Sequence, residues 1–241
     1  METGELVNRL TGWIRERVTE AGAEGAVVGL SGGIDSAVVA GLAKRAFPEA
    51  VLGVIMPCHS LPRDAEHARL VAAAFSVPVR EVVLDTVYDT LLARLKTAEA
   101  GEPKALALAN IKPRLRMVTL YYLATQHNYL VLGTGNKSEL TVGYFTKYGD
   151  AGVDLLPLGN LVKQEVREVA RHLGVPEEII RKAPSAGLWE GQTDESELGF
   201  SYAELDHYIR TGEGRPEVVA RIRTMQQRSE HKRRLPPIPG F

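Results

Sequence analysis

The stretch GAVVGLSGGIDSAVVAGLAKRAF, residues 25–47, runs from an apolar segment through two adjacent glycines into a helix start. Residues 25–30 are apolar without alternation, the pattern of a parallel strand buried on both faces. Residues 35–47 read as a helix that begins with Asp35 and Ser36. Between them, Ser31, Gly32 and Gly33 set backbone N–H groups and the positive end of a helix dipole at one point. Glycine lets an anion approach the backbone closely, and serine hydroxyls add donors. The lysine-bearing triphosphate loop G-x-x-x-x-G-K-[ST] does not fit, because no lysine follows. In its place stands Asp35, and a carboxylate facing phosphates repels them unless a divalent cation lies between, so magnesium is implied. The plainer alternative is a tight turn in which Asp35 and Ser36 merely cap the helix.

Outward from this stretch, strands and helices alternate. Residues 4–22 have helical spacing, with Leu6, Leu10, Ile14 and Val18 on one face. Strands are expected at 50–57, 78–85 and 128–135, and helices at 63–76 and across most of 86–127, with a break near 100–103. A further helix is expected at 159–174, closed by Gly174, with a turn after Pro176. Residues 183–199 lack periodicity and read as a loop, residues 201–234 as helical and increasingly basic, and the end as an extended tail. The alternation predicts an α/β fold, a doubly wound parallel sheet of Rossmann-like type flanked by helices, with helical N- and C-terminal segments.

The 241 residues suit one α/β domain, 1–241, and 44% hydrophobic content supplies a core. A net charge of -1 argues against a general nucleic-acid binder. Cys58 is the single cysteine, which excludes an internal disulfide and a cysteine-based zinc site. The N-terminus is not a signal sequence and no apolar run has the length of a membrane span, so a cytoplasmic protein without a membrane partner is expected.

A second glycine turn, GTGNKSEL at 133–140, follows the expected strand at 128–135. It matches neither the dinucleotide fingerprint nor the triphosphate loop, and taken alone it reads as a solvated helix start. Its place at the carboxyl end of a central strand is where open α/β sheets hold ligands, which makes Glu139 a candidate second metal carboxylate. NIKPRLRM at 110–117 carries Arg114 and Arg116, a pair of a kind usually solvated or salt-bridged. GYFTKYGDAGVDLLPLGNLVK sets Lys147, Asp150, Asp154 and Lys163 among glycines and aromatics. The basic run at 221–237 has the composition of a solvated helix end, although His231 and Lys232 also suit an anionic ligand.

S-G-G-I-D-S after a strand resembles the loop of the N-type ATP pyrophosphatases. With NIKPRLRM, GTGNKSEL, GYFTKYGD, LLPLGNLVKQEVR, KAPSAGLWEGQTDE and HKRRLPP in order, the chain is similar to the ammonia-dependent NAD synthetases from about residue 5 onward. The resemblance implies ATP-dependent amidation of deamido-NAD by ammonia through an acyl adenylate, giving NAD, AMP and pyrophosphate. It implies that Gly29, Leu30, Ser31, Gly32, Gly33, Ile34, Asp35 and Ser36 cradle the ATP phosphates, with Thr134, Lys163 and Ser185 also on ATP. Asp35 and Glu139 would hold Mg2+. Arg114, Lys147, Asp154, His231 and Lys232 would bind deamido-NAD, and Asp150 is the candidate for handling ammonium. Catalytic weight then falls on Asp35, Lys163 and Asp150. The loop at 183–199, with Asp194 and Glu195, would close over the nucleotide, and a homodimer is implied. The glutaminase domain of the glutamine-dependent enzymes is not expected ahead of a phosphate loop this near the N-terminus. Two alternatives stay open: a related adenylating enzyme with another acceptor, GMP-synthetase-like or tRNA-modifying, and a non-catalytic nucleotide-binding module.

Overall fold

The computed structural model of the chain describes residues 1–185 and 193–240. Strands β1 (Gly25–Gly29), β2 (Val51–Ile55), β3 (Val79–Glu81) and β4 (Tyr129–Leu132) form one all-parallel sheet in the order β3-β2-β1-β4. Helices α1 (Thr3–Glu20), α2 (Ile34–Ala46), α3 (Pro62–Ala74) and α8 (Lys163–Leu173) share one hydrophobic core with β1 and β2. On the other face, α4 (Asp85–Ala98) and α6 (Ile111–His127) form the second core. The short α5 (Ala105–Ala109) leads into α6.

The unbroken apolar run of β1 is explained by this sandwiching. Ala26 and Val28 belong to the first core and Val27 to the second, all three fully buried. A valine buried this way contributes about 1.5 kcal/mol or more through the hydrophobic effect. A third cluster joins α7 (Lys137–Val142), α10 (Asp194–Leu198), α11 (Tyr202–Thr211) and α12 (Pro216–Arg233) through Val142, Leu198, Tyr202, Leu205 and Ile222.

The doubly wound parallel sheet is thus as the sequence implies, and the differences lie at element ends. The helix expected from 159 starts at Lys163, because Gly159 and Leu161 donate back to Leu156 and Leu158 in consecutive turns. That delay puts Lys163 on the first residue of α8, at the sheet's ligand edge. Strand β3 is only three residues long, an edge strand whose Arg80 and Glu81 face solvent. The turn after Pro176 is a short helix, α9 (Glu177–Arg181). The helical run 201–234 is split, since Gly212 adopts φ +78° and ends α11. Within the expected loop 183–199, Thr193 caps α10 through its hydroxyl, and residues 186–192 lie outside the described residues.

Candidate active site

Strand order reverses direction between β1 and β4, and the segments leaving their carboxyl ends meet there. After β1, Gly32 takes φ +72°, and a Cβ on it would stand 2.4 Å from the Asp64 carbonyl oxygen and 2.8 Å from His67 Cβ. Glycine is therefore required on both conformational and packing grounds. Ser36 Oγ donates to the Gly33 carbonyl at 3.0 Å, and the Gly33 N–H donates to Ser31 Oγ at 3.2 Å. Leu30 and Ile34 point their side chains into the core, so they offer the loop only backbone.

The N-cap of α2 is Gly33, with no side-chain cap bond among the described residues. Asp35 does not cap the helix; its carboxylate accepts from Lys163 Nζ and from Asn136 Nδ2. The capping role that the plainer alternative gave Asp35 is therefore not the one it has. A 13-residue helix presents its first N–H groups and its positive dipole end at the mouth of the sheet.

Lys163 Nζ lies 2.5 Å from Asp35 Oδ2 and 3.3 Å from Glu139 Oε1, with its side chain 2% exposed. Burial alone would lower its pKa, but Asp35 and Glu139 outweigh burial and hold it above the ordinary lysine value. Burial pushes Glu139 up to about 7, against the pull of Lys163. Tyr202 caps the group with a ring 5.0 Å from Nζ, and its hydroxyl donates to Asp194 at 2.8 Å. Asp194 Oδ1 is buried with no hydrogen-bond partner among the described residues. Two carboxylates thus converge on one cationic point beside a third with unsatisfied capacity. Hard oxygen donors such as these suit a divalent cation of the magnesium type. Among the described residues no group of three or more His, Cys, Asp or Glu forms a cage of its own.

Beside this group a cavity of about 40 Å³ is lined by Thr134, Glu139, Phe145 and Asp150, among others. Asp150 Oδ1 accepts the Thr146 N–H at 2.8 Å. The residue as a whole is exposed, yet desolvation by the surrounding protein raises its carboxyl above the usual range, against the Thr146 N–H and Lys232. Lys232 Nζ donates to the carbonyls of Gly143 and Phe145, each at 2.8 Å.

Of the residues expected on the dinucleotide, four are brought into one connected group. Arg114 donates to the Lys147 carbonyl at 3.2 Å, Lys147 Nζ to the His231 carbonyl at 2.8 Å, and Lys232 follows His231. Asp154 instead anchors β4, accepting the Val131 N–H at 2.8 Å and the Tyr121 hydroxyl at 3.0 Å. Arg116 makes no salt bridge among the described residues; it is half-buried and donates to the Met56 carbonyl and Ser60 Oγ. Within the basic end of α12, Arg233 is partly buried and donates to the carbonyls of Leu140 and Gln226, while His231 and Arg234 are exposed. Cys58 is buried. Ser185 is exposed at the end of the described segment, and the Asp194 N–H donates to the Pro184 carbonyl at 3.0 Å.

Sequence reading missed three supports. Asn136 is fully buried, not part of a solvated helix start; it closes a capping box with Glu139 while holding Asp35. The spacing Asn136-x-x-Glu139 carries that signature and was legible. Tyr202 and Asp206 arrive from α11, far along the chain. Buried Asp206 accepts from Ser138 Oγ at 2.6 Å and from the Gln164 N–H at 2.8 Å, while Ser138 Oγ accepts the Lys163 N–H. Nothing local in the sequence marks these.

The family model described as NAD synthase matches residues 6–236. The chain is 60% identical over 98% of its length, and 97% of the relative, to the NH(3)-dependent NAD(+) synthetase of Carboxydothermus hydrogenoformans. Among solved structures it is similar to NMN synthetase from Francisella tularensis, with TM-score 0.95 and 37% identity over 100% of both chains. It is also similar to NH3-dependent NAD synthetase from Campylobacter jejuni, with TM-score 0.84 and 30% identity over 99% of this chain and 100% of the other.

Proposed function

Because the chain belongs to the NAD synthase family, we propose that it converts deamido-NAD, ATP and ammonia to NAD, AMP and pyrophosphate. The observation that carries this reading is the meeting of Asp35, Glu139 and Lys163 at the uncapped start of α2. A nicotinate carboxylate is too poor an electrophile for ammonia. Its oxygen therefore attacks the α-phosphorus, and the bond to the β-phosphate breaks. Pyrophosphate departs into the N–H groups of the loop from Gly29 to Ser36, where the helix dipole meets the charge it carries away. Ammonia then attacks the acyl carbon, AMP leaves, and one proton is lost from nitrogen.

Lys163 stays charged and offsets negative charge developing on the phosphates. Asp35 and Glu139 would hold Mg2+, which would neutralise phosphate charge when bound. Thr134 and Ser185 contact ATP. Arg114, Lys147, His231 and Lys232 form the dinucleotide surface, with Asp154 at its margin. Asp150 faces the small cavity beside Glu139, a carboxylate placed to hold ammonium and accept its proton. Asp194 ties α10 to the lysine cluster through the Tyr202 hydroxyl. The reaction belongs to the cytoplasm, where ATP is at hand, and residues 1–241 act as one domain. No described helix is long and apolar enough to cross a membrane.

A homodimer is supported by an uncovered apolar face. Val87, Leu91 and Leu95 repeat every four residues along α4, and Val118 and Tyr122 do so on α6, all exposed. Light scattering should give a dimer, and Leu91→Asp with Tyr122→Asp should give a monomer; a wild-type monomer would remove the proposal.

A second reading, amidation of the corresponding mononucleotide acid, is favoured by the full-length likeness to a protein named NMN synthetase. One experiment separates the two. Purified protein is given ATP, magnesium and ammonium chloride with either acid, and AMP, NAD and NMN are quantified. Equal AMP and NAD support the main reading, and product from the mononucleotide alone supports the second. ATP bound with no AMP released from either acid would leave only a nucleotide-binding module. Glutamine in place of ammonium should give no product.

A further inference from the structure

Lys182 lies outside every residue set assigned above. It follows α9, and its Nζ donates to the Gly32 carbonyl at 3.2 Å and to Asp64 Oδ1 at 2.7 Å. The two side chains are 26% and 23% exposed, so the pair is partly withdrawn from water. Asp64 sits in the first turn of α3, the element whose backbone walls off Gly32 from below.

The bond falls on the most rotatable peptide of the phosphate loop. Between Gly32 and Gly33 no side chain resists a flip of the peptide plane, and a flip would exchange the faces reached by C=O and N–H. In a trans peptide these two groups point in opposite directions. Holding the Gly32 carbonyl on the α3 side therefore turns the Gly33 N–H the other way, where it now meets Ser31 Oγ. A flipped peptide would aim a carbonyl oxygen at the pyrophosphate and lose a donor at once.

We infer that Lys182, itself oriented by Asp64, is a positioning residue for the phosphate loop: it locks the Gly32–Gly33 peptide with its N–H facing the anion. Its charge is already matched by the Asp64 carboxylate, so it acts through the peptide and not as a phosphate ligand. The inference rests on the reading of this loop as the pyrophosphate seat.

The test uses the full chain as Lys182→Met, Lys182→Arg, Asp64→Asn and the Met/Asn double variant, each checked for an unchanged thermal midpoint. Calorimetry reads binding of inorganic pyrophosphate with magnesium, and kinetics read KM for ATP and for the acid substrate. Lys182→Met should weaken pyrophosphate and raise KM for ATP about tenfold, the scale of one charge-assisted hydrogen bond, with KM for the acid unchanged. Lys182→Arg should recover most of the loss. Asp64→Asn should act in the same direction but less, and the double variant should be no worse than Lys182→Met. Tighter pyrophosphate binding in Asp64→Asn would mean that Lys182 touches phosphate directly, and overturns the positioning role. Additive losses, or no loss in Lys182→Met, overturn it as well. A wild-type protein that binds pyrophosphate but forms no AMP would defeat the proposed reaction, while the pyrophosphate series would still decide the role of Lys182.

Discussion

Replacing Lys163 by Met removes the ammonium between two carboxylates and keeps the aliphatic stem. Nζ is 2.5 Å from Asp35 and 3.3 Å from Glu139, whose side chains are each 17% exposed. Deleting one partner of a buried ion pair costs about 3–5 kcal/mol, because the remaining charge is left uncompensated. The lower end applies here, since Glu139 can take up a proton: burial already raises it to about 7 with Lys163 opposing. Without Lys163 it rises further. A carboxylate with a raised native pKa binds more protons folded than unfolded, so stability is lost as pH climbs through that native value. The variant should therefore be destabilised by about 3 kcal/mol near pH 8 and by less near pH 6.5. Millimolar Mg2+ should restore part of the loss in the variant near pH 8, because the freed carboxylate oxygens then bind the ion, and do less for the wild type. Urea unfolding followed by circular dichroism, at both pH values with and without Mg2+, gives all the numbers. Wild-type stability in the variant near pH 8, or a greater loss at the lower pH, would refute the electrostatic account of the cluster.

The remaining expectations test neighbouring parts. Mg2+-dependent ATP binding should strengthen as pH rises through about 7, where Glu139 ionises, and Glu139→Gln should flatten that rise in a calorimetric titration. Gly32→Ala should weaken ATP binding at least tenfold, because left-handed backbone costs an alanine about 1–2 kcal/mol before the contact with Asp64 is counted. Asp206→Ala leaves Ser138 and the start of α8 without an acceptor; unfolding should show a loss of about 2–3 kcal/mol, with Asp206→Asn losing less. Asp150→Asn should raise the KM for ammonia more than that for ATP, and an unchanged ammonia dependence would remove Asp150 from that role.

Much of this molecule is determined locally. The apolar runs at β1 and β2 have no alternation because both faces are covered, and their alternation with amphipathic helices points to a parallel, doubly wound sheet. Ser31-Gly32-Gly33 followed by Asp35 raises the expectation of an anion seat with a cation, since backbone geometry and Coulomb repulsion act over a few residues. The capping box of Asn136 and Glu139 is equally local. Other features were out of reach of the sequence. The resemblance puts Lys163 on ATP, but its partners come from the fold: two turns delay α8 and deliver it, almost fully buried, between Asp35 and Glu139. Asp154 carries the same kind of charge, and only the fold shows that it also ties down the β4 backbone. Asp206, Tyr202 and Lys182 gain their partners only from elements that return to this region after long excursions. A side chain's periodicity and propensity are written in its neighbours along the chain, whereas its desolvation and its partners are set by whatever the tertiary fold brings beside it, and those decide the chemistry.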